Sequence, residues 1–128
     1  MTTLFDTPVS NWLVAEQLDE KDRFKTTFQN HHLGNIFIKS LHGGVTGAMI
    51  ELSAEAATRR ELGEAADLMI TTSSIDYLRV TKDADLHART SIVRMSRRLS
   101  VVDVICWQDS EELPIARGVV TIKVTPPE

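Results

Sequence analysis

The stretch with the clearest chemical content runs His42-Gly43-Gly44-Val45-Thr46-Gly47-Ala48-Met49-Ile50-Glu51. Two glycines close a loop, a helical pattern begins, and one carboxylate sits inside an otherwise apolar run. A carboxylate taken out of water without compensation is costly, so Glu51 must be paired, protonated or used. An apolar surround raises the pKa and basicity of such a group. That suits a general base toward water or a nucleophile toward a carbonyl carbon, and the residues do not choose between the two routes. At the other end of the stretch, Gly43 and Gly44 permit a tight entry into the helix. The N–H groups there lack partners within the helix, and the macrodipole places about half a positive charge beside them. One such donor, aimed at an oxygen that gains charge, is typically worth about 2.7–4 kcal/mol in a transition state.

Other residues have two readings each. Gly47 lies four positions before Glu51, on the same flank, where a mid-helix glycine costs about 0.8–1 kcal/mol against alanine. It allows either close packing against another backbone or room for a substrate beside the acid. His42 is a loop or capping residue, or else it orients the acid or the substrate. Glu55 is a second acid, or more simply the partner of Arg59 at i+4. Thr72, Ser74 and Asp76 share one face of a strand, near the site or toward solvent or an interface. Arg97 and Arg98 at a strand entry can grip phosphates or form a solvated turn. His31 and His32 fall too early in their loop to make a ligand pattern with His42 and His87, so no metal is expected.

These residues need a frame, and the periodicities predict one. Residues 1–7 read as a polar start, followed by a short amphipathic helix through Trp12–Leu18 with Ser10 as its cap. Phe24, Thr26 and Phe28 alternate with polar neighbours over residues 23–29, a half-buried strand. Residues 31–41 read as a loop. From Gly44 to Leu62 the period is helical: Val45, Ala48, Met49, Leu52 and Ala56 form one stripe, and Ile50, Ala54 and Ala57 a second. A helix apolar nearly all round is a buried one, and Gly63 stops it. Strands follow over residues 68–78, 85–95, 99–107 and 115–124, with a turn at 109–112. Short connections imply antiparallel neighbours. The expectation is a single α+β domain with a curved antiparallel sheet of about five strands wrapped around one long central helix. Residues 1–21 form an N-terminal helix or arm and 22–125 the core. A single sheet leaves open edges, so association with a second copy is expected.

Composition narrows the function classes. The chain has 128 residues, 42% hydrophobic and 25% charged, with a net charge of −4. It carries no basic stripe, which argues against a nucleic-acid partner. The one cysteine, Cys106, lies in an apolar strand and reads as a buried, inert thiol. With no signal peptide and no stretch able to span a bilayer, the expected compartment is the cytoplasm.

The order of elements, together with HGGVTGAMIE, resembles the hotdog-fold acyl-CoA thioesterases, in particular the phenylacetate-degradation type. The likeness covers roughly residues 22–125. It is carried by Gly34-Asn35, by His42-Gly43-Gly44 with an acid nine positions after the histidine, by the strand TTSSIDYLR, and by the strand pair around Arg97-Arg98. The resemblance implies Glu51 as the catalytic acid and the Gly43 N–H as the group that polarises a thioester carbonyl. It implies His42 and Asn35 as polar residues lining the same site; Gly44, Gly47, Thr72, Arg97 and Arg98, from their own positions on the helix and strands, are the substrate-binding candidates. The site is then shared between subunits of a homodimer or homotetramer, with CoA across the interface. CoA arrives as part of the substrate, so no separate cofactor or metal is implied. The chain departs from the family at three points: Ile36 replaces a polar amide six residues before His42, Ser96 a glycine before the paired arginines, and Val80 a proline after Tyr77-Leu78-Arg79. The function expected is hydrolysis of an acyl-CoA thioester. Non-hydrolytic acyl-CoA binding is the alternative. A hydratase is disfavoured, because the histidine and acid motif of those families is missing.

Overall fold

The structure is a computed structural model and describes residues 7–20, 22–63 and 65–127. Residues 1–6 of the polar start therefore lie outside the described residues. The organising element is α2 (Gly43–Leu62). His42 caps it from an extended conformation, its Nδ1 accepting the Gly44 N–H at 2.9 Å. Gly63, at φ 80°, ends it by donating its N–H to the Arg59 carbonyl. Val45, Met49, Ile50, Ala54 and Ala57 are buried along one side, with Thr46, Ser53 and Thr58 among them. The nearly all-round apolar pattern has a gap, however. Gly44 is exposed, and Gly47, Ala48, Glu51 and Glu55 are only partly covered. At 3.6 residues per turn those five positions form one stripe.

Six strands cover the rest of the helix: β1 (Ala15–Gln17), β2 (Arg23–Thr26), β5 (Asp67–Tyr77), β6 (Leu86–Met95), β7 (Leu99–Trp107) and β8 (Ala116–Thr125). Their order is β1-β2-β6-β7-β8-β5, and every pair is antiparallel. Alternation sends Leu86, Ala88, Val102, Val104, Cys106, Val120 and Ile122 inward, where they pack with Met49 and Ile50. Gly118 of β8 lies where helix and sheet come closest. A Cβ there would stand 2.7 Å from Cγ2 of the fully buried Ile50.

Two segments depart from expectation. The N-terminal helix, α1, spans Pro8–Leu13 and is capped by Thr7, with Ser10 as the reciprocal partner of a capping box rather than the cap itself. Pro8 fits because the first helical N–H needs no partner. Val14 then turns left-handed at φ 54°, and Ala15–Gln17 continue as β1 paired with β2. The sheet thus has six strands where about five were expected, because seven residues are too few for periodicity to separate helix from strand. Second, residues 31–41 are not simply loop. A 3-10 turn at Asn30–His32 leads into a small hairpin of β3 (Leu33–Asn35) and β4 (Ser40–Leu41). The fully buried His32 ties this segment to α1: its Nε2–H donates to the Trp12 carbonyl at 3.0 Å, and its Nδ1 accepts the Gln29 N–H.

Gly118→Ala should lower the urea midpoint by the equivalent of about 1–3 kcal/mol, the usual cost of overpacking a core. Ile50→Ala empties a fully buried site and destabilises by itself, but in that background Gly118→Ala should cost less than in the parent, since the clashing methyl is gone. Cys106 is fully buried and its thiol is pushed up to about 12 by burial. It should stay unmodified by a thiol reagent in the native protein and react fully in denaturant; rapid native labelling would contradict this packing.

Candidate active site

Glu51 projects from the open stripe of α2 and is half-buried. Its Oε2 accepts a hydrogen bond from the Ser73 hydroxyl of β5 at 2.8 Å. The acid is therefore paired with a neutral donor, which fixes one carboxylate oxygen and leaves the other available. Ser73 reaches it because β5 carries a bulge. Ile70 pairs with Ile122 and Thr72 with Thr121, so Thr71 is an extra residue in the ladder. Before the bulge, Leu68 and Ile70 pack on the core; beyond it, the partly buried positions are Ser73 and Ile75. Thr72 and Ser74 are exposed on the opposite face, so the structure does not bring Thr72 to Glu51 within the chain.

Tyr77, two residues beyond Ile75, donates its hydroxyl to the Gly43 carbonyl at 2.9 Å and pins the start of α2 to β5. Of the first N–H groups of the helix, that of Gly44 goes to His42 Nδ1 and that of Val45 to the His42 carbonyl. The Gly43 N–H has no partner among the described residues and is exposed. Because Nδ1 of His42 accepts, its Nε2 carries the proton and stands at the mouth of the helix. The loop that delivers His42 is held tightly: its N–H donates to the His32 carbonyl at 2.8 Å, and a Cβ on Gly34 would stand 2.9 Å from its Cα.

Around Glu51 lies a cavity of about 340 Å3 lined by Thr7, Val9, Ala48, Leu52, Ile70, Glu51 and Glu55. A second, of about 280 Å3, lies at the start of α2 between the β3–β4 hairpin and the segment after β5, with Gly43, Thr46, Tyr77 and Thr81 on its wall. A Cβ at Gly47 would make ordinary contacts, 3.6 Å to Ile75 and to the Tyr77 hydroxyl, and would meet no backbone. The packing reading of Gly47 thus finds no support within one chain. Glu55 has its carboxyl raised above the usual range, chiefly by burial; Arg59 pulls it down and Glu51 pushes it up. Arg59 itself turns its Nη1 to the carbonyls of Gly63 and Ala66.

The remaining candidates are placed elsewhere. Asn35 shapes the hairpin, its Oδ1 accepting the N–H groups of Phe37 at 3.0 Å and Ile38 at 3.3 Å. Arg97 and Arg98 form the exposed turn between β6 and β7, closed by the Ser96 N–H on the Leu99 carbonyl at 2.7 Å. Ser100 bonds Thr58 at 2.9 Å, so this turn lies by the C-terminal half of α2, far from Gly43 of the same chain. Among the described residues no three His, Cys, Asp or Glu side chains gather in a metal-binding arrangement. No helix there is long and apolar enough to cross a membrane. Ser73 and Tyr77 went unnoticed in the sequence, since unbroken alternation from Leu68 puts the even-numbered residues on the helix side.

A curved antiparallel sheet wrapped around one long helix is the hotdog architecture. Residues 39–115 match the thioesterase superfamily, and the chain belongs to that family. Solved structures share the fold. A thioesterase of Haemophilus influenzae superposes with a TM-score of 0.85 at 18% identity, over 97% of this chain and 87% of that one. A phenylacetic acid degradation-related protein of Ralstonia eutropha gives 0.78 at 20% identity, over 91% and 90%. A Bacillus halodurans protein solved with CoA gives 0.81 at 20% identity, over 93% and 76%. No curated protein matches the chain in sequence.

The raised Glu55 carboxyl has a consequence for stability. The native state holds that proton more tightly than the unfolded chain, so the contribution is present below the unfolded value of 4.5 and lost as pH rises through the native one. Glu55→Gln should therefore raise the thermal midpoint at pH 7, with the difference from the parent shrinking as pH falls through the raised native value toward 4.5 and levelling off below it. A difference that grows on acidification would contradict the sign.

Proposed function

We propose that the protein hydrolyses an acyl-CoA thioester to the free acid and CoA, with Glu51 as the acid–base or nucleophilic group and the Gly43 N–H as the oxyanion donor. The observation that carries this is Glu51 itself. It lies on the one open flank of a buried helix, with Ser73 holding one carboxylate oxygen and a cavity beside it. In the base route Glu51 takes a proton from water as the water oxygen attacks the carbonyl carbon. Charge collects on the carbonyl oxygen at the Gly43 N–H; the C–S bond then breaks, and the proton passes to the departing thiolate. In the nucleophilic route the carboxylate attacks directly and the C–S bond breaks to expel the CoA thiolate; water then cleaves the resulting anhydride, restoring the Glu51 carboxylate and releasing the acid, and a proton from that water goes to the thiolate. Ser73 serves both by orienting the carboxylate, and the Nε2–H of His42 is a further donor beside the thioester.

Two copies are needed to complete this site. Gly43 and Glu51 are eight residues apart on one helix, about 12 Å along its axis, and Glu51 turns sideways to Ser73. A carbonyl held about 3 Å from the Gly43 N–H is out of direct reach of that chain's own carboxylate. A partner's Glu51 supplies the missing group. The long edge strand β5, paired on one side only by β8, offers the surface for association. Across such an interface the Arg97-Arg98 turn can meet CoA phosphates that its own chain's Gly43 site cannot offer it.

The test is thiol release from aliphatic and aryl acyl-CoAs. Glu51→Gln should lower kcat by about 10²–10⁴-fold, and Ser73→Ala by about tenfold, the scale of one hydrogen bond to a charged group. Gly43→Pro removes the donor at a first helical position that suits proline, after a residue already extended at ψ 135°. It should cut kcat by about 10²–10³-fold and leave the melting temperature near that of the parent. Refolding E51Q and G43P chains together should restore activity to about a quarter of the parental rate, because half the dimers are mixed and each has one intact site. No rescue on mixing would place both groups of each site in one chain. An E51Q protein as fast as the parent removes the catalytic assignment, and tight binding without turnover favours a binding protein instead.

A further inference from the structure

The cavity beside Glu51 contains a second carboxylate that the proposed hydrolysis does not use. Glu55 lies one turn further along α2, about 6 Å farther from the helix start, and lines the same cavity as Glu51. The other walls are Val9 of α1, Ala48 and Leu52 of α2 and Ile70 of β5, all apolar, with Thr7 at the edge. Ser73 holds the Glu51 carboxylate, whereas the Glu55 carboxylate accepts no hydrogen bond among the described residues. The charged groups around it, Arg59 and Glu51, stand on its own helix. Thr7, Val9 and Ile70 across the cavity contribute none.

We propose that Glu55 selects the acyl group: the cavity admits neutral acyl chains and rejects those that end in a carboxylate. This rests on the thioester reading of the site given above. CoA carries several negative charges on its phosphates, so a cavity with two carboxylates and apolar walls is the wrong half of the site for the nucleotide. It fits the acyl chain instead. A chain filling it displaces water, and repulsion between like charges strengthens as the local dielectric falls. A carboxylate at the end of the chain would face Glu55 across that dry space, whereas a methyl or hydrogen-bond-donating end would not. Discrimination by repulsion is an economical route to specificity, since it leaves contacts to the accepted ligand intact. Burial already raises the Glu55 carboxyl, in keeping with a cavity that resists a further negative charge.

Hexanoyl-CoA and adipoyl-CoA have the same chain length and differ in the terminal carboxylate. Their dissociation constants can be measured by calorimetry on E51Q, in which turnover is suppressed and Glu55 is, among the described residues, the one carboxylate left on the cavity wall. Hexanoyl-CoA should bind at least about tenfold more tightly, and the gap should close to under about threefold in the E51Q/E55Q protein. Equal affinities in E51Q, or a gap that Glu55→Gln leaves unchanged, overturns the inference while leaving the hydrolysis reading intact. Binding of neither compound overturns both. Discrimination that follows Glu55, in a protein whose Glu51→Gln form turns over as fast as the parent, keeps the selection and removes the catalytic assignment of Glu51.

Discussion

The contact between Ile50 of α2 and Gly118 of β8 governs how the rest is arranged. The helix sits so close to the sheet that a single methyl has no space there. That closeness fixes the rotation of α2 about its own axis. With Ile50, Met49 and Ala54 turned into the sheet, the stripe Gly44, Gly47, Ala48, Glu51 and Glu55 must face outward. A charged residue can occupy the middle of an apolar helix only because its flank is the one the sheet leaves open. Burial and reactivity are thus two sides of one packing decision.

The second constraint is the bulge at Thr71. An antiparallel strand laid on a helix presents every other residue to it, so one extra residue exchanges the inward and outward sets. Here the exchange delivers Ser73 to Glu51, Ile75 to Gly47 and Tyr77 to the Gly43 carbonyl. Three contacts along α2, from its first turn to its middle, come from one strand after one irregularity. Among the described residues the same strand is an edge of the sheet. The residues that hold the site and the edge where a second copy would add are therefore one element, which couples assembly to the geometry of the acid.

Much of this was legible in the residues. The helix from Gly44 to Leu62, its stop at Gly63 and the strand over 99–107 follow from periodicity and caps, and each matches within a residue. Glu51 was conspicuous because a charge among apolar neighbours violates the local pattern. Alternation puts Thr72, Ser74 and Asp76 on one face and leaves open whether that face meets the site, solvent or an interface; the bulge at Thr71 decides that Ser73, not Thr72, faces the acid within the chain. The N-terminal segment failed differently. Thr7 rather than Ser10 caps α1, and the chain leaves the helix at Val14 to become β1. A six-residue helix and a three-residue strand are both shorter than the window in which a period can be measured.

The sequence by itself determined the kind of chain this is: a long apolar helix with glycine at its entry and an acid within it, followed by alternating strands. It determined these because helix and strand periods, glycine's small size and the cost of a buried charge act over a few neighbouring residues. Only the tertiary structure decided which side of α2 stays open and which β5 side chains reach it. Those outcomes depend on contacts between residues 22 to 68 positions apart, such as Ser73 with Glu51, Gly118 with Ile50 and Thr90 with Asp22. No local pattern records them, because register across a sheet is set jointly by both partners.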